Sequence, residues 1–112
     1  MRFTTHQQGS VCVIQIEGAM TSGELQLLSE TVRARVVCGQ PLLLLDFTDV
    51  PSVDSAALEL TLEAQDSCLR RGGVVKMTGL IPLVREIFAV TGLERRFEFF
   101  DNQLTALGSF AT

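Results

Sequence analysis

Four consecutive leucines, Leu42–Leu45, followed by Asp46 and Phe47, restrict the fold of this chain more than any other feature. A strand points successive side chains to opposite faces, so an unbroken apolar run buries both faces. Leu42–Phe47 is therefore expected to be a strand covered by helices on one side and by core on the other. Gly39 and Pro41 come before it, and a loop over Thr48–Val53, containing Pro51, comes after it.

The neighbouring segments alternate between two periods. Val11–Glu17 is β-branched and mostly apolar, the pattern of another interior strand, and Phe3–Gln7 reaches it through a turn at Gly9-Ser10. After a loop over Gly18–Gly23, Leu25, Leu28, Val32 and Val36 recur at helical spacing, which predicts an amphipathic helix over Gly23–Val37. Ser22 can cap it, and Glu24 suits its first turn. Ser55–Arg71 reads as a second helix. Its apolar face is Leu58, Leu62, Gln65 and Leu69, with Thr61 and Cys68 beside it, and its polar face is Glu59, Glu63, Asp66 and Arg70. Gly72-Gly73 closes that helix, and Val74–Met77 is the next strand. Pro82 suits the first turn of a third helix whose apolar face is Val84, Ile87 and Phe88. Gly92-Leu93 marks a left-handed stop. Phe97–Phe100 is a short last strand, and Asp101 can cap a terminal helix through Leu107.

This order predicts an α/β fold, with a mixed, mainly parallel sheet of about four to five strands and four helices. The first hairpin adds an antiparallel edge. All of residues 1–112 form one domain in this reading. Sites in such sheets lie beyond the carboxyl ends of the strands, which points to the loop leading into Ser55.

Hydrophobic residues make up 46% and charged residues 20% of the chain, a globular balance. With neither Trp nor Tyr, the core falls to Leu, Val, Ile and Phe. A net charge of −4 excludes a nucleic-acid binder, which needs clustered cations to displace phosphate counterions. It also weighs against an anionic membrane surface. No apolar run approaches the ~20 residues of a membrane span, and Met1–Ser10 lacks the apolar centre of a signal peptide. The cytoplasm is the expected compartment. Lys76, the only lysine, reads as compositional bias.

Catalysis finds no support in the chain. His6 is the only histidine, in the first strand, with nothing to bring it to Ser55 or a cysteine. Cys12, Cys38 and Cys68 have no C-x-x-C spacing and sit among apolar residues, so they read as small core hydrophobes. No metal-ligand cluster and no glycine-rich phosphate loop is present, so neither a metal nor a cofactor is expected. What remains is a protein that works by binding other proteins.

Leu45-Asp46-Phe47-Thr48-Asp49-Val50, followed by Val53-Asp54-Ser55-Ala56-Ala57-Leu58, resembles the strand–loop–helix signature of STAS domains. Bacterial anti-sigma-factor antagonists are among these. Their pattern is a strand ending in Leu-Asp-Leu, a short loop, then Asp-Ser-Ser-Gly-Leu. Three further segments are similar to the family in order and spacing: Val13–Gly18 to its second strand, Arg71–Val75 to its Gly-Gly strand entry, and Pro82–Leu93 to its Pro…Thr-Gly-Leu helix.

The resemblance implies a switch. The unphosphorylated domain binds an anti-sigma factor, a GHKL-type serine kinase, and so frees the sigma factor. The kinase phosphorylates the Ser after the family's Asp, and a phosphatase resets it. By position Asp54 matches that Asp and Ser55 the phosphoacceptor. The partner-facing residues would be Thr21, Ser22, Asp54, Ser55, Ala56, Glu59 and Glu63. A helix start favours an anion, so a phosphate at Ser55 would suit the helix and burden a docked partner instead. The plainer reading makes Asp54 or Ser55 only an N-cap. Glu59 and Glu63 form either a solvated face or a surface for an Arg- or Lys-rich partner. Asp46 is either a functional carboxylate near Ser55 or an acceptor that holds its loop.

The chain departs from the pattern in two places. Gly18-Ala19-Met20-Thr21 replaces a Gly-Glu-Leu-Asp-like segment, and Ala56-Ala57 replaces Ser-Gly. The departures keep two alternatives open: a STAS subunit of a membrane, lipid-type ABC transporter, or a scaffold in a stress-signalling assembly.

Overall fold

The computed structural model describes residues 1–37 and 39–111. Among them run five strands and four α-helices: β1 (Arg2–Gln8), β2 (Val11–Glu17), α1 (Gln26–Val36), β3 (Leu42–Asp49), α2 (Ser55–Arg70), β4 (Val74–Thr78), α3 (Pro82–Val90), β5 (Glu98–Phe100) and α4 (Gln103–Phe110). A 3₁₀ turn, Leu93–Arg96, follows α3 and is absent from the sequence reading. The sheet order is β1-β2-β3-β4-β5. β1 pairs antiparallel with β2, and every other pairing is parallel. The expected fold class therefore holds.

β3 is buried on both faces, as its leucines require. Leu43, Leu45 and Phe47 enter the larger core under α1, α2 and α3, with Ile14, Ile16, Met77 and Phe88. Leu44 faces the other side, where Val11, Val13 and Ala106 of α4 meet it. Phe88 carries much of the aromatic packing. Its ring meets Phe47, Phe97 and Phe99 edge-on, at centroid distances of 6.3, 5.9 and 5.8 Å, the arrangement ring quadrupoles prefer.

Two glycine positions explain the turns. Gly9 opens the two-residue hairpin between β1 and β2 at φ 60°, a conformation L side chains avoid. After α2, Gly72 takes φ 77° and donates to Leu69 O, while Gly73 N–H donates to Cys68 O. That is the double hydrogen bond of a Schellman stop. A side chain at Gly73 would fall 1.9 Å from Pro41 O, so the chain must pass there without a Cβ.

Several boundaries differ from the sequence reading. α1 begins at Gln26, not Gly23, and Leu25 is its N-cap with no side-chain cap. Ser22 does not cap it, because its N–H and hydroxyl both go to Asp54, and Gly23 at φ 95° leaves the helical path. Glu24 lies outside the first turn and accepts from the Thr21 hydroxyl. α4 is capped by Asn102 rather than Asp101: Asn102 Oδ1 accepts from Thr105 N–H at 2.9 Å. It continues past Leu107 to Phe110.

On α2 the buried stripe is rotated. Leu60 and Ala64 are buried, Leu62 is half-buried, and Leu69 is 49% exposed. The cause is α1, which packs along the Leu60–Ala64 flank. Strand β3 runs two residues past Phe47, and β4 one past Met77.

Candidate functional site

Two loops at the carboxyl ends of β2 and β3 are stitched together by backbone. Gly18 N–H donates to Asp49 O at 2.9 Å, Met20 N–H to Ser52 O at 3.0 Å, and Asp54 N–H to Met20 O at 3.1 Å. Met20 and Val53 form a one-pair parallel bridge. Met20 is fully buried, so the Gly18–Thr21 segment spends its central side chain on packing.

Asp54 fixes the start of α2. It is the extended N-cap, and its Oδ1 accepts from Ala57 N–H at 3.1 Å. Its other oxygen accepts from Ser22 N–H at 2.7 Å and Ser22 Oγ at 3.1 Å. One carboxylate therefore caps the helix and pins the neighbouring loop across 32 residues of sequence. The Ser22 N–H, then the Ala57 N–H, hold the Asp54 carboxyl below the usual carboxylate range against partial burial, and the Ser22 hydroxyl and Ala56 N–H add to this.

Ser55 follows as the first residue of α2, and its side chain is exposed. The first-turn N–H groups of a helix lack intrahelical acceptors and carry its positive end. Ala56 is half-buried, which lets another surface come close. A groove of about 400 Å³ between α1 and α2 is lined by Ser22, Ala56, Glu59 and Glu63 together with Leu25 and Leu60. Both glutamates are exposed, and neither enters an ion pair among the described residues. Of the residues singled out from sequence, Ser22, Asp54, Ser55 and Ala56 thus gather at the start of α2, and Glu59 and Glu63 continue from them along the groove. Thr21, half-buried, stands beside them on the pinned loop.

Asp46 does not join this group. It is buried and turned toward α4, on the opposite face of the sheet from α2. Oδ1 accepts from Thr48 N–H at 2.9 Å and Thr48 Oγ1 at 2.6 Å, and Oδ2 accepts from Gln103 Nε2 at 2.6 Å. Burial alone would raise its pKa, but hydrogen bonds from Gln103, Thr48 and Gln15 outweigh it and hold the carboxyl below its ordinary value. Asp46 ties β3 and its loop to the start of α4, so its geometry is that of the loop-holding reading.

Lys76, which the sequence offers only as compositional bias, and Gln65, on the apolar face of α2, are internal clamps. Lys76, under α4, donates from Nζ to Ser109 O at 3.2 Å and Ser109 Oγ at 2.9 Å, and lies 4.6 Å from the Phe110 ring centroid. Gln65 bonds both backbone groups of Val75. Only the placement of Gln65 on the inner face of α2 hinted at this.

Cys12 and Cys68 are free and buried, and Cys38 lies outside the described residues. Burial pushes the Cys68 thiol up to about 11. It also raises Cys12, which the nearby Arg35 charge only partly offsets. His6 is half-buried on β1 opposite Val13. Among the described residues no helix is long and apolar enough to cross a membrane.

The same architecture occurs in known proteins. An anti-sigma-factor antagonist (STAS) domain protein from Planctomyces limnophilus superposes with a TM-score of 0.91 at 19% identity, over 98% of each chain. The Bacillus cell fate determinant SpoIIAA, in its phosphorylated form, gives 0.78 at 15% identity, over 97% of this chain and 99% of that one. A sulfate transporter family protein from Wolinella succinogenes gives 0.66 at 20% identity, over 84% and 80%. No curated protein sequence matches. At these identities the likeness establishes the fold, and the sequence itself carries the family: the STAS domain model matches residues 2–106. The chain belongs to the STAS domain family.

Proposed function

We propose that this chain is a cytoplasmic anti-sigma-factor antagonist that binds an anti-sigma serine kinase and is released by phosphorylation of Ser55. The observation that carries the reading is the exposed Ser55 hydroxyl at the first position of α2, directly after a carboxylate committed to the helix cap and to the neighbouring loop. A kinase can reach that oxygen without unfolding the chain. The phosphate added there meets the positive end of a helix of 16 residues. Asp54 is adjacent in sequence, and three hydrogen bonds already engage its charge.

The fold has little reason to move, so the effect falls on the complex. A partner seated over Ser55 and Ala56 would have to bury a new dianion or leave. Glu59 and Glu63, exposed one turn apart on the adjoining groove, favour a partner surface carrying Arg or Lys. The likeness to a SpoIIAA structure in its phosphorylated form supports the same reading. The proposed action is binding, with the kinase and a phosphatase supplying the chemistry. Incubation with the GHKL-type kinase of the same cell and ATP, followed by mapping of phosphate by mass spectrometry, tests it. Label is expected on Ser55, and a fully competent kinase that leaves Ser55 unlabelled removes the claim.

One observation favours a second reading. Ala19 and Thr21 stand where the antagonist pattern carries Glu and Asp, so the Gly18–Thr21 loop offers a partner no carboxylate. A STAS subunit serving a transporter, without phosphorylation, would need none. Affinity capture separates the two: a transporter ATPase or permease in place of a serine kinase would move the assignment.

A further inference from the structure

We infer that two copies of this chain join through their β1 strands, antiparallel, making one continuous sheet from two five-stranded ones. Exposed sheet edges recruit other strands unless something prevents it: lysine, proline, a bulge, shortness or a cover. The β5 edge is protected by its length of three residues. β1 has none of these devices. It is seven residues long, contains neither lysine nor proline, and pairs with β2 without a bulge from Arg2↔Glu17 to Gln8↔Val11. The only register shift of β2 lies on its other side, against β3. α4 packs on β3, β4 and β5, far from this edge.

The strand is also complementary to itself. A two-fold axis at Thr5 sets Thr5 against Thr5, Thr4 against His6, Phe3 against Gln7 and Arg2 against Gln8. The only charged side chain of the strand, Arg2, meets glutamine, and the two arginines end at opposite ends of the pair. Directly opposed threonines are a favourable cross-strand pair.

Helix α1 supplies an independent observation. Its Ser29–Arg33 flank faces α2, and Leu28 and Val32 enter the core. The flank turned away from α2 carries Leu27, which is 64% exposed, and Thr31 one turn on. Pairing of β1 strands about this axis sets both α1 helices on one face of the joined sheet, with the flanks that carry Leu27 turned toward each other. The Ser55 surface on α2 stays open in both copies, so the inference stands apart from the proposed function.

Sedimentation velocity over a concentration series tests it. The wild-type chain is expected to shift from monomer toward dimer. Thr5→Lys and Thr5→Glu each place like charges on the axis and should weaken association about tenfold or more. An equimolar mixture of the two should regain a dimer, because Lys then faces Glu. A wild-type chain monomeric throughout, single variants that associate like wild type, or a mixture no better than its components would each overturn the inference. Should a charge at half-buried Thr5 unfold the chain, the double change Thr4→Lys/His6→Glu keeps the test. It makes two complementary pairs across the axis and tightens this dimer, and unchanged association would refute the pairing.

Discussion

Replacing Gln65 should unfold much of what holds α2 to the sheet. β5 begins opposite Lys76, so Val75, one residue earlier in β4, has no strand on its outer side. The Gln65 amide takes the place of that strand. Oε1 accepts from Val75 N–H at 2.7 Å, and Nε2 donates to Val75 O at 3.2 Å and to Arg96 O at 2.6 Å. The side chain is 3% exposed, so no water replaces it when it is cut away. Each buried backbone group left without a partner costs roughly 1–3 kcal/mol, and the carbonyls relax more easily than the N–H. Together with the lost packing, Gln65→Ala should cost about 3–5 kcal/mol. For a domain of this size that is a fall in Tm of roughly 15–20 °C. Gln65→Leu is the sharper variant. It restores the volume but none of the hydrogen bonds, and should still cost about 2–4 kcal/mol. Urea unfolding followed by circular dichroism measures both. If Gln65→Leu matches wild type within about 0.5 kcal/mol, Gln65 is only filler on an apolar stripe and the clamp is refuted.

Asp46 should make stability depend on acid. Its folded pKa lies below the unfolded value of about 3.9, so its contribution is complete above that value and is lost as pH falls through the folded one. Asp46→Asn should cost roughly 2 kcal/mol at pH 7, and the gap to wild type should narrow in denaturant titrations below about pH 4. A gap independent of pH would exclude the ionised carboxylate as the group that holds Thr48 and Gln103. Cys12 and Cys68 should resist a thiol reagent at mildly alkaline pH in the native chain and react once denatured, since burial raises both thiols. Rapid native labelling of either would contradict their burial.

The parts of this fold that sequence reveals are those set by local chemistry. Leu42–Leu45 reads as an interior strand, Gly72-Gly73 as a helix stop, and Asp54 stands three residues before the N–H it caps. The parts that stay hidden depend on neighbours distant in sequence. Ser22 has the composition of a helix cap, yet its donors are claimed by Asp54 across 32 residues, and α1 starts late as a result. Leu69 and Leu60 are alike in hydrophobicity, and only the position of α1 decides that Leu60 is buried and Leu69 is not. Lys76 looks like compositional accident until Ser109 and the Phe110 ring of α4 close over it. The candidate site follows the same division. Asp54 and Ser55 could be named from the resemblance to the STAS strand–loop–helix signature, whereas the shared carboxylate that locks both loops could not.

The measurement that bears most directly on the account is the affinity of the purified anti-sigma kinase for this chain with and without phosphate on Ser55, by calorimetry. Phosphorylation should weaken binding by about a hundredfold or more, with both forms melting within a few degrees of each other. Equal affinity for the two forms would contradict the claim that a partner covers the exposed end of α2.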